Sequence, residues 1–365
     1  MIQKNMVIIM DSYLKQLQQK YNYSDDLVFA LSKIIHALIN YYGVEYQEII
    51  LSALQNCEIH IQKLGENHRE FLNNYFGVNE TWPHPPNGVA FHEAIPKVSD
   101  DKVDIQNLIY VFQPFQGEFD LSNDGDMGTL IHEICHLVKS YGRLKVQDNK
   151  IIVPSGLMYN EYDLNGNRIT DGDYSVNVGI EESLNCYDEE QIAKSVLGPD
   201  YKSIGYHNIS DLITKLMAND EIRVAIKKAQ FTGNTSWMTL LGVEDSQRLI
   251  KQFDQLIKMS YISDDALSVD FDIMYDQLYA EGKNFDEIET IIKAEIDRQL
   301  DQLWEPYYEI YHEVENFIEN YTSRRQLSAF EQSRTIADTK MIEKIKEEQA
   351  ELSHGQNTEP ARMTM

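Results

Sequence analysis

Residues 128–142 read GTLIHEICHLVKSYG and contain His132, Glu133 and His136 in H-E-x-x-H spacing. Residues four apart on a helix lie on one face, so both imidazoles can bind one Zn²⁺ at about 2.0–2.1 Å. Glu133 is rotated by roughly 100° from His132, which places its carboxylate beside the metal. There it can accept a proton from water whose pKa the metal has lowered to about 7. The pattern predicts one zinc ion on His132 and His136, with Glu133 as general base.

Coincidence is a weak explanation of this pattern. With 10 His and 59 Asp+Glu in 365 residues, the composition gives about 0.04 chance matches. The alternative interpretation is a buried helix whose two histidines make ordinary hydrogen bonds. Burying two histidines and a glutamate without a metal is unfavourable unless each finds a partner, so we favour the metal site.

A zinc site of this kind needs a third protein ligand from elsewhere in the chain. The segment VGIEESLNCYDEE (178–190) fits best, because a helix opens after Gly179 with two acids in its first turn. Those acids are Glu181 and Glu182, and either can be the ligand.

At this point the sequence resembles the gluzincin metallopeptidases, H-E-x-x-H enzymes whose third zinc ligand is a glutamate on a later helix. In many of them this helix begins with Asn/Glu-Glu-Gly and has a tyrosine a few residues later. Here 181–187 read EESLNCY, with Ser183 at the usual glycine. The resemblance implies a zinc metallopeptidase that hydrolyses peptide bonds, and it favours Glu182 over Glu181 as the ligand.

The same resemblance implies a partner for one zinc histidine. In the thermolysin-like branch an aspartate four positions after the ligand supports that histidine. Cys186 stands there if Glu182 is the ligand, and Asn185 stands there if Glu181 is. Cys135 and Cys186 border the inferred site, and we expect both to pack as small apolar residues rather than to form a redox switch.

Upstream, GVAF, NLIYVF and TLIHEICHLV follow the order of core strand, edge strand and active-site helix in zincins. The resemblance implies that NLIYVF or its neighbour lines the cleft, where an extended peptide adds a strand to the sheet. Hydrolysis also needs a donor for the oxyanion. Tyr174 on the connecting segment is the first candidate and His207 the second, whereas we expect His92 to be structural or exposed.

The expected fold is α+β and predominantly helical, with active-site helix 126–141 and ligand helix 179–197. Ser24 is predicted to cap a helix that ends at Gly43, and Asp124 or Asp126 to cap the active-site helix, which has Lys139 in its last turn and Gly142 after it. Pro306 is expected to break the amphipathic segment 285–321 or to open a second helix. The long excursion 143–177 carries Asn-Gly and Asp-Gly turns and predicts hairpins. The sequence divides into an N-terminal helical region (1–56), a zincin-like catalytic core (57–197), a helical subdomain (198–262), a C-terminal helical region (263–349) and a disordered tail (350–365).

Composition limits the partners. A net charge of −27 argues against a nucleic-acid partner, and we expect a peptide or protein substrate instead. No apolar stretch approaches the roughly 18 residues of a membrane span, and three cysteines without a C-x-x-C pair predict a cytoplasmic protein. Two rival functions are a zincin-fold zinc protein with a binding or regulatory role and a zinc hydrolase of non-peptide amides. The oligomeric state is not predicted.

Overall fold

The computed structural model describes residues 2–63, 66–78, 90–99, 102–111, 119–169, 176–203, 205, 207–260 and 271–355. Within these residues the chain is α+β and mostly helical, as predicted, with two small sheets. The helices are α1 (Ile2–Tyr21), α2 (Asp25–Tyr42), α3 (Gln47–Gln55), α4 (His68–Phe76), α5 (Asp124–Ser140), α6 (Val178–Leu197), α7 (His207–Met217), α8 (Asp220–Thr232), α9 (Ser236–Leu241), α10 (Val243–Met259), α11 (Phe271–Ala280) and α12 (Phe285–Gly355). The strands are β1 (Cys57–Ile61), β2 (Ala90–Ser99), β3 (Lys102–Val111), β4 (Lys145–Gln147), β5 (Lys150–Ser155) and β6 (Met158–Tyr162).

The chain falls into two compact units, Met1–Val314 and Glu315–Met365. The first contains every described strand and the residues of the predicted zinc site. Helix α12 runs through Pro306, so the expectation that this proline breaks the helix or opens a second one was wrong. A proline inside a helix removes one backbone hydrogen bond and bends the axis, but helical sequence on both sides can continue past it. The helix also reaches Gly355, beyond the expected start of the tail at 350.

The first sheet has the order β1-β3-β2, with β1 parallel and β2 antiparallel to β3. Its two faces are covered by different helices. Ile109 and Val111 belong to the main core with α1, α2, α3 and α5, whereas Leu108 and Tyr110 pack on α4. The segment NLIYVF begins in the central strand β3, and its neighbour β2 is one of the two edge strands. The predicted order of core strand then edge strand is reversed.

Local signals account for the helix ends. The Ser24 hydroxyl caps α2 by accepting the Leu27 amide at 3.2 Å, as predicted. Helix α5 is capped by Asn123, whose side-chain oxygen accepts the amides of Gly125 and Asp126 at 2.8 and 3.2 Å. The expected caps were Asp124 or Asp126; those acids lie in the first turn, where negative charge is also favourable.

The predicted hairpins are present as a second, antiparallel sheet of order β4-β5-β6. Asp148 and Asn149 form the two-residue turn between β4 and β5, both with positive φ, as a type I′ turn requires. Gly156 (φ +63°) opens the turn between β5 and β6. A Cβ there would overlap the Glu181 carboxylate, so the turn can only approach α6 as glycine.

Helix α6 is fixed at its start by α10. The Gly179 amide donates to the Asp254 carboxylate at 2.7 Å, which supplies the capping acceptor that the α6 N-cap side chain does not. A Cβ on Gly179 would overlap the backbone of Phe253. The two helices therefore approach each other closely only because residue 179 has no side chain.

This close approach predicts a stability effect. Gly179→Ala should lower the free energy of unfolding by about 1–3 kcal/mol, because the added methyl forces α10 away from α6. Urea denaturation followed by circular dichroism measures the change. Ser195→Ala, at an exposed position of the same helix, should stay within about 0.5 kcal/mol. Equal stability of Gly179→Ala and wild type would contradict the contact.

Candidate metal centre

Two buried polar stripes face each other where α5 packs on α6. On α5, His132, His136 and Lys139 follow i, i+4, i+7 spacing and share one face. On α6, acids occur in two rows whose members are seven residues, or about two turns, apart. One row is Glu181 and Asp188, and the other is Glu182 and Glu189. The first row binds Lys139 and the second binds His132.

The ligand atoms of His132, His136 and Glu182 lie close together, and each histidine is nearest to a different oxygen of the Glu182 carboxylate. The two Nε2 atoms are 3.2 Å apart, His132 Nε2 is 3.2 Å from Glu182 Oε2, and His136 Nε2 is 3.4 Å from Glu182 Oε1. Ligands at 2.0–2.1 Å from a tetrahedral zinc ion are about 3.3–3.4 Å apart. The side chains thus stand at the spacing that a metal requires, and the donor set of two imidazoles and a carboxylate suits zinc.

This cluster of ligand atoms is open on one side. The side chains of His132 and Glu182 keep 14% and 15% of their surface exposed, so a fourth coordination position can face solvent. Glu133 is buried, and burial raises the pKa of its carboxyl, although nearby His132 and His136 act against this. A carboxylate with a raised pKa beside an open metal position is suited to accept a proton.

Glu181 has a different environment. Its carboxylate forms an ion pair with the Lys139 ammonium at 2.8 Å, and both of these side chains are fully buried. It also accepts a hydrogen bond from the Leu157 amide at 2.7 Å. Of the two adjacent glutamates, only Glu182 stands with the histidines. Burial alone would raise the pKa of Glu182, but His136 and His132 hold it well below its usual range.

Glu189 contacts the His132 ring at Nδ1, on the side away from Glu182. This role of Glu189 was not predicted from the sequence. Its Oε2 is 3.1 Å from His132 Nδ1, whereas Cys186, at the expected supporting position, is 3.9 Å away through Sγ. Burial alone would lower the pKa of His132, but hydrogen bonds with Cys186, Glu182 and Glu189 raise it well above its usual value. A carboxylate on the second ring nitrogen of a zinc histidine fixes its tautomer and orientation.

Glu189 is itself held in place. Tyr201 donates to its Oε1 at 2.5 Å and Ser203 to its Oε2 at 2.8 Å. A Cβ on Gly128 of α5 would overlap the Tyr201 hydroxyl, so the glycine leaves the space that this anchor occupies. The sequence did carry a signal for Glu189, since a seven-residue step from Glu182 returns to the same helix face.

Lys139 was expected to be an ordinary basic residue in the last turn of α5. Instead it is fully buried between Glu181 and Asp188, at 2.8 and 3.1 Å. Burial alone would lower the pKa of the Lys139 ammonium, but the two carboxylates raise it above its usual value. Asp188 also accepts the hydroxyls of Tyr41 and Tyr42 at 2.7 and 2.9 Å, which ties α2 to the same network.

The remaining predicted residues have varied positions. His92 is half-buried on the α5 side of β2, and burial together with nearby His136 lowers its pKa to about 3, so it stays neutral. Cys135 and Cys186 are free and buried, and burial raises the pKa of Cys135 to about 12, which fits packing rather than redox chemistry. Tyr174 and the His207 side chain lie outside the described residues.

Comparison with known proteins gives no independent identification. No known family model, curated protein or solved structure matches this chain. None of the described helices combines the length and the apolar character that crossing a membrane would require.

The buried Lys139 pair predicts a large stability effect. Lys139→Met should lower the free energy of unfolding by about 3–5 kcal/mol, because two buried carboxylates lose their countercharge. The matched control is Lys194→Met on α6, which breaks a partly exposed pair with Glu190 and should change stability by less than about 1 kcal/mol. Thermal and chemical unfolding measure both. A small effect at Lys139 would mean that the triad is not formed.

Glu189 should control metal affinity without binding metal. Glu189→Gln should weaken zinc binding by about 10–100-fold, because His132 loses the carboxylate that orients it. Competition with a chromophoric chelator measures this affinity. Glu190→Gln makes the same chemical change one residue away, where the side chain pairs with Lys194 and Lys202, and should leave affinity unchanged. Equal affinities for the two variants would contradict the role of Glu189.

Proposed function

We propose that this protein is a zinc-dependent metallopeptidase with a zincin-like core, in which His132, His136 and Glu182 hold one zinc ion. The observation that carries the proposal is the convergence of the two Nε2 atoms, 3.2 Å apart, with the Glu182 carboxylate, whose two oxygens lie 3.2 Å from His132 and 3.4 Å from His136, while Glu133 is buried on the same helix. Hydrogen bonds and ion pairs already hold these side chains at metal-binding spacing, so little reorganisation is needed on binding.

The role of each residue in the proposed reaction follows from the position of its side chain. A bound zinc ion would act as a Lewis acid on the substrate carbonyl and would lower the pKa of water. Glu133 accepts a proton as general base and returns it to the leaving amine as general acid. Glu189 holds the His132 ring through Nδ1. Ser155 lies 3.5 Å from His136 Nδ1 and donates to the His136 backbone carbonyl at 3.1 Å.

Two features favour peptide hydrolysis over the rival functions. A zinc ion with a purely structural role does not need Glu133, whose burial beside the ligands is unfavourable unless it serves the site. The edge strand β2 passes beside Glu133, and the backbone amide of His92 lowers the pKa of that carboxyl. The edge of a strand beside a reactive group can pair with an extended peptide, and a small amide makes no use of such an edge.

The proposal predicts that Glu133→Gln abolishes peptide cleavage but not metal binding. Removing a general base should lower kcat/KM by about 100-fold or more, while the three ligands keep the zinc ion. A peptide library analysed by mass spectrometry measures cleavage, and elemental analysis measures zinc. Glu182→Gln should instead reduce zinc content and activity together, since it weakens a ligand.

The outcomes separate the alternatives. Zinc-loaded wild type that cleaves no peptide would contradict the peptidase proposal and favour a binding role. Cleavage that persists in Glu133→Gln would contradict the assignment of the base. Zinc that stays stoichiometric in Glu182→Gln and is also retained in Glu182→Ala would contradict the ligand assignment.

A further inference from the structure

His132 has a carboxylate beside each of its two ring nitrogens. Its Nε2 is 3.2 Å from Glu182 Oε2, and its Nδ1 is 3.1 Å from Glu189 Oε2. A neutral imidazole carries one proton, which can stand on either nitrogen, and a metal ion binds the nitrogen that lacks it. With a metal on Nε2, Glu189 accepts the proton on Nδ1. With a metal on Nδ1, Glu182 can accept the proton on Nε2, so the surroundings of the ring suit both tautomers.

Three possible metal ligands meet at the Nδ1 side of the ring. Cys186 Sγ is 3.9 Å from His132 Nδ1, and this sulfur, this nitrogen and a Glu189 oxygen all lie within 4.8 Å of one another. Around a tetrahedral zinc ion, nitrogen and oxygen ligands are about 3.3 Å apart, and nitrogen and sulfur ligands are about 3.6 Å apart. The observed 3.1 and 3.9 Å are close to these spacings. We call these three side chains the Nδ1 cluster.

The protein around the Nδ1 cluster holds its ligands in place. Glu189 accepts the Tyr201 hydroxyl through Oε1 and the Ser203 hydroxyl through Oε2, at 2.5 and 2.8 Å. Carboxylates that bind metal ions are held by hydrogen bonds of this kind. Cys186 and Glu189 are buried, and a Cβ on Gly205 would be 3.3 Å from Cys186 Sγ. The cluster is therefore enclosed by protein, with its ligands already ordered.

The Nδ1 cluster selects a different kind of metal ion from the zinc site. A thiolate ligand favours soft, thiophilic ions, whereas the zinc site offers two imidazoles and a carboxylate. One thiolate and one carboxylate also balance the two charges of a divalent cation, which favours its burial. In the part of the chain that the structure describes, Cys57 and Cys135 belong to no such group of ligands. The selectivity for soft ions therefore depends on Cys186.

We propose that His132, Cys186 and Glu189 form a second, inhibitory metal site for a thiophilic divalent cation such as cadmium. Binding there releases the Cys186 thiol proton to solvent and leaves the imidazole with one proton, on Nε2, where Glu182 accepts it. A protonated Nε2 cannot bind the zinc ion, so the two metal positions exclude each other. The existence of the second site is independent of the proposed peptidase function, and only its inhibitory effect rests on that function.

The first test titrates the metal-free, full-length protein with cadmium and follows the ultraviolet absorption of the cadmium–thiolate bond. Wild type should show this absorption, and Cys186→Ser should lose it. Cys135→Ser is the matched control, because it makes the same change at a second buried cysteine beside the metal helices and should keep the absorption. Glu189→Gln removes a charged ligand and should weaken cadmium binding about tenfold or more, whereas Glu190→Gln should not.

The second test measures exclusion and inhibition. Equilibrium dialysis against mixtures of zinc and cadmium, followed by elemental analysis, should find that each chain which shows the thiolate absorption lacks zinc. In a peptide cleavage assay, the cadmium concentration that halves the rate should be about tenfold or more higher for Cys186→Ser than for Cys135→Ser, because only Cys186→Ser loses the thiolate ligand.

The outcomes separate the second site from the proposed function. Wild type without the thiolate absorption, or Cys186→Ser that retains it, overturns the site. Chains that hold zinc and thiolate-bound cadmium together overturn the exclusion, and equal inhibition of the two serine variants overturns the inhibitory role. Wild type that shows the Cys186-dependent absorption but cleaves no peptide when loaded with zinc overturns the peptidase proposal and the inhibitory role, while it supports the second site.

Discussion

The pairing of α5 with α6 depends on one buried interaction, the Lys139 ammonium between the carboxylates of Glu181 and Asp188. A buried cation with two anionic partners tolerates little displacement, because any shift of one helix along the other leaves a charge uncompensated. The acids that bind Lys139 directly precede those that bind His132. The ion pair therefore sets the register in which Glu182 and Glu189 reach the histidine.

This arrangement explains how two adjacent glutamates come to do different work. Glu181 points to Lys139 and to the turn between β5 and β6, while Glu182, about 100° further around the helix, points to the histidines. The conformation of each follows from the partner that α5 presents. The same helix thus supplies acids to Lys139 and to His132 from two separate rows.

Much of the scaffold was predictable from local patterns. Residue spacing and turn residues were enough to predict the H-E-x-x-H helix, the glutamate-bearing helix α6, the hairpins and the Ser24 cap. Lys139 was missed because a lysine near a helix end normally faces solvent, and only a tertiary contact tells a buried one apart. Glu189 was missed because its supporting role was sought one turn after Glu182 rather than two. The strand order depends on non-local pairing, which no local pattern contains.

The hairpin sheet is attached differently at its two ends. The turn between β5 and β6 is joined to the helix pair, since the Leu157 amide binds Glu181 and the Gly156 carbonyl accepts Arg143 at 2.7 Å. The opposite tip, around Gly166, lies against Pro96 and Val98 of β2. Insertions or deletions at that tip can accumulate without moving His132, His136, Glu182 or Glu133.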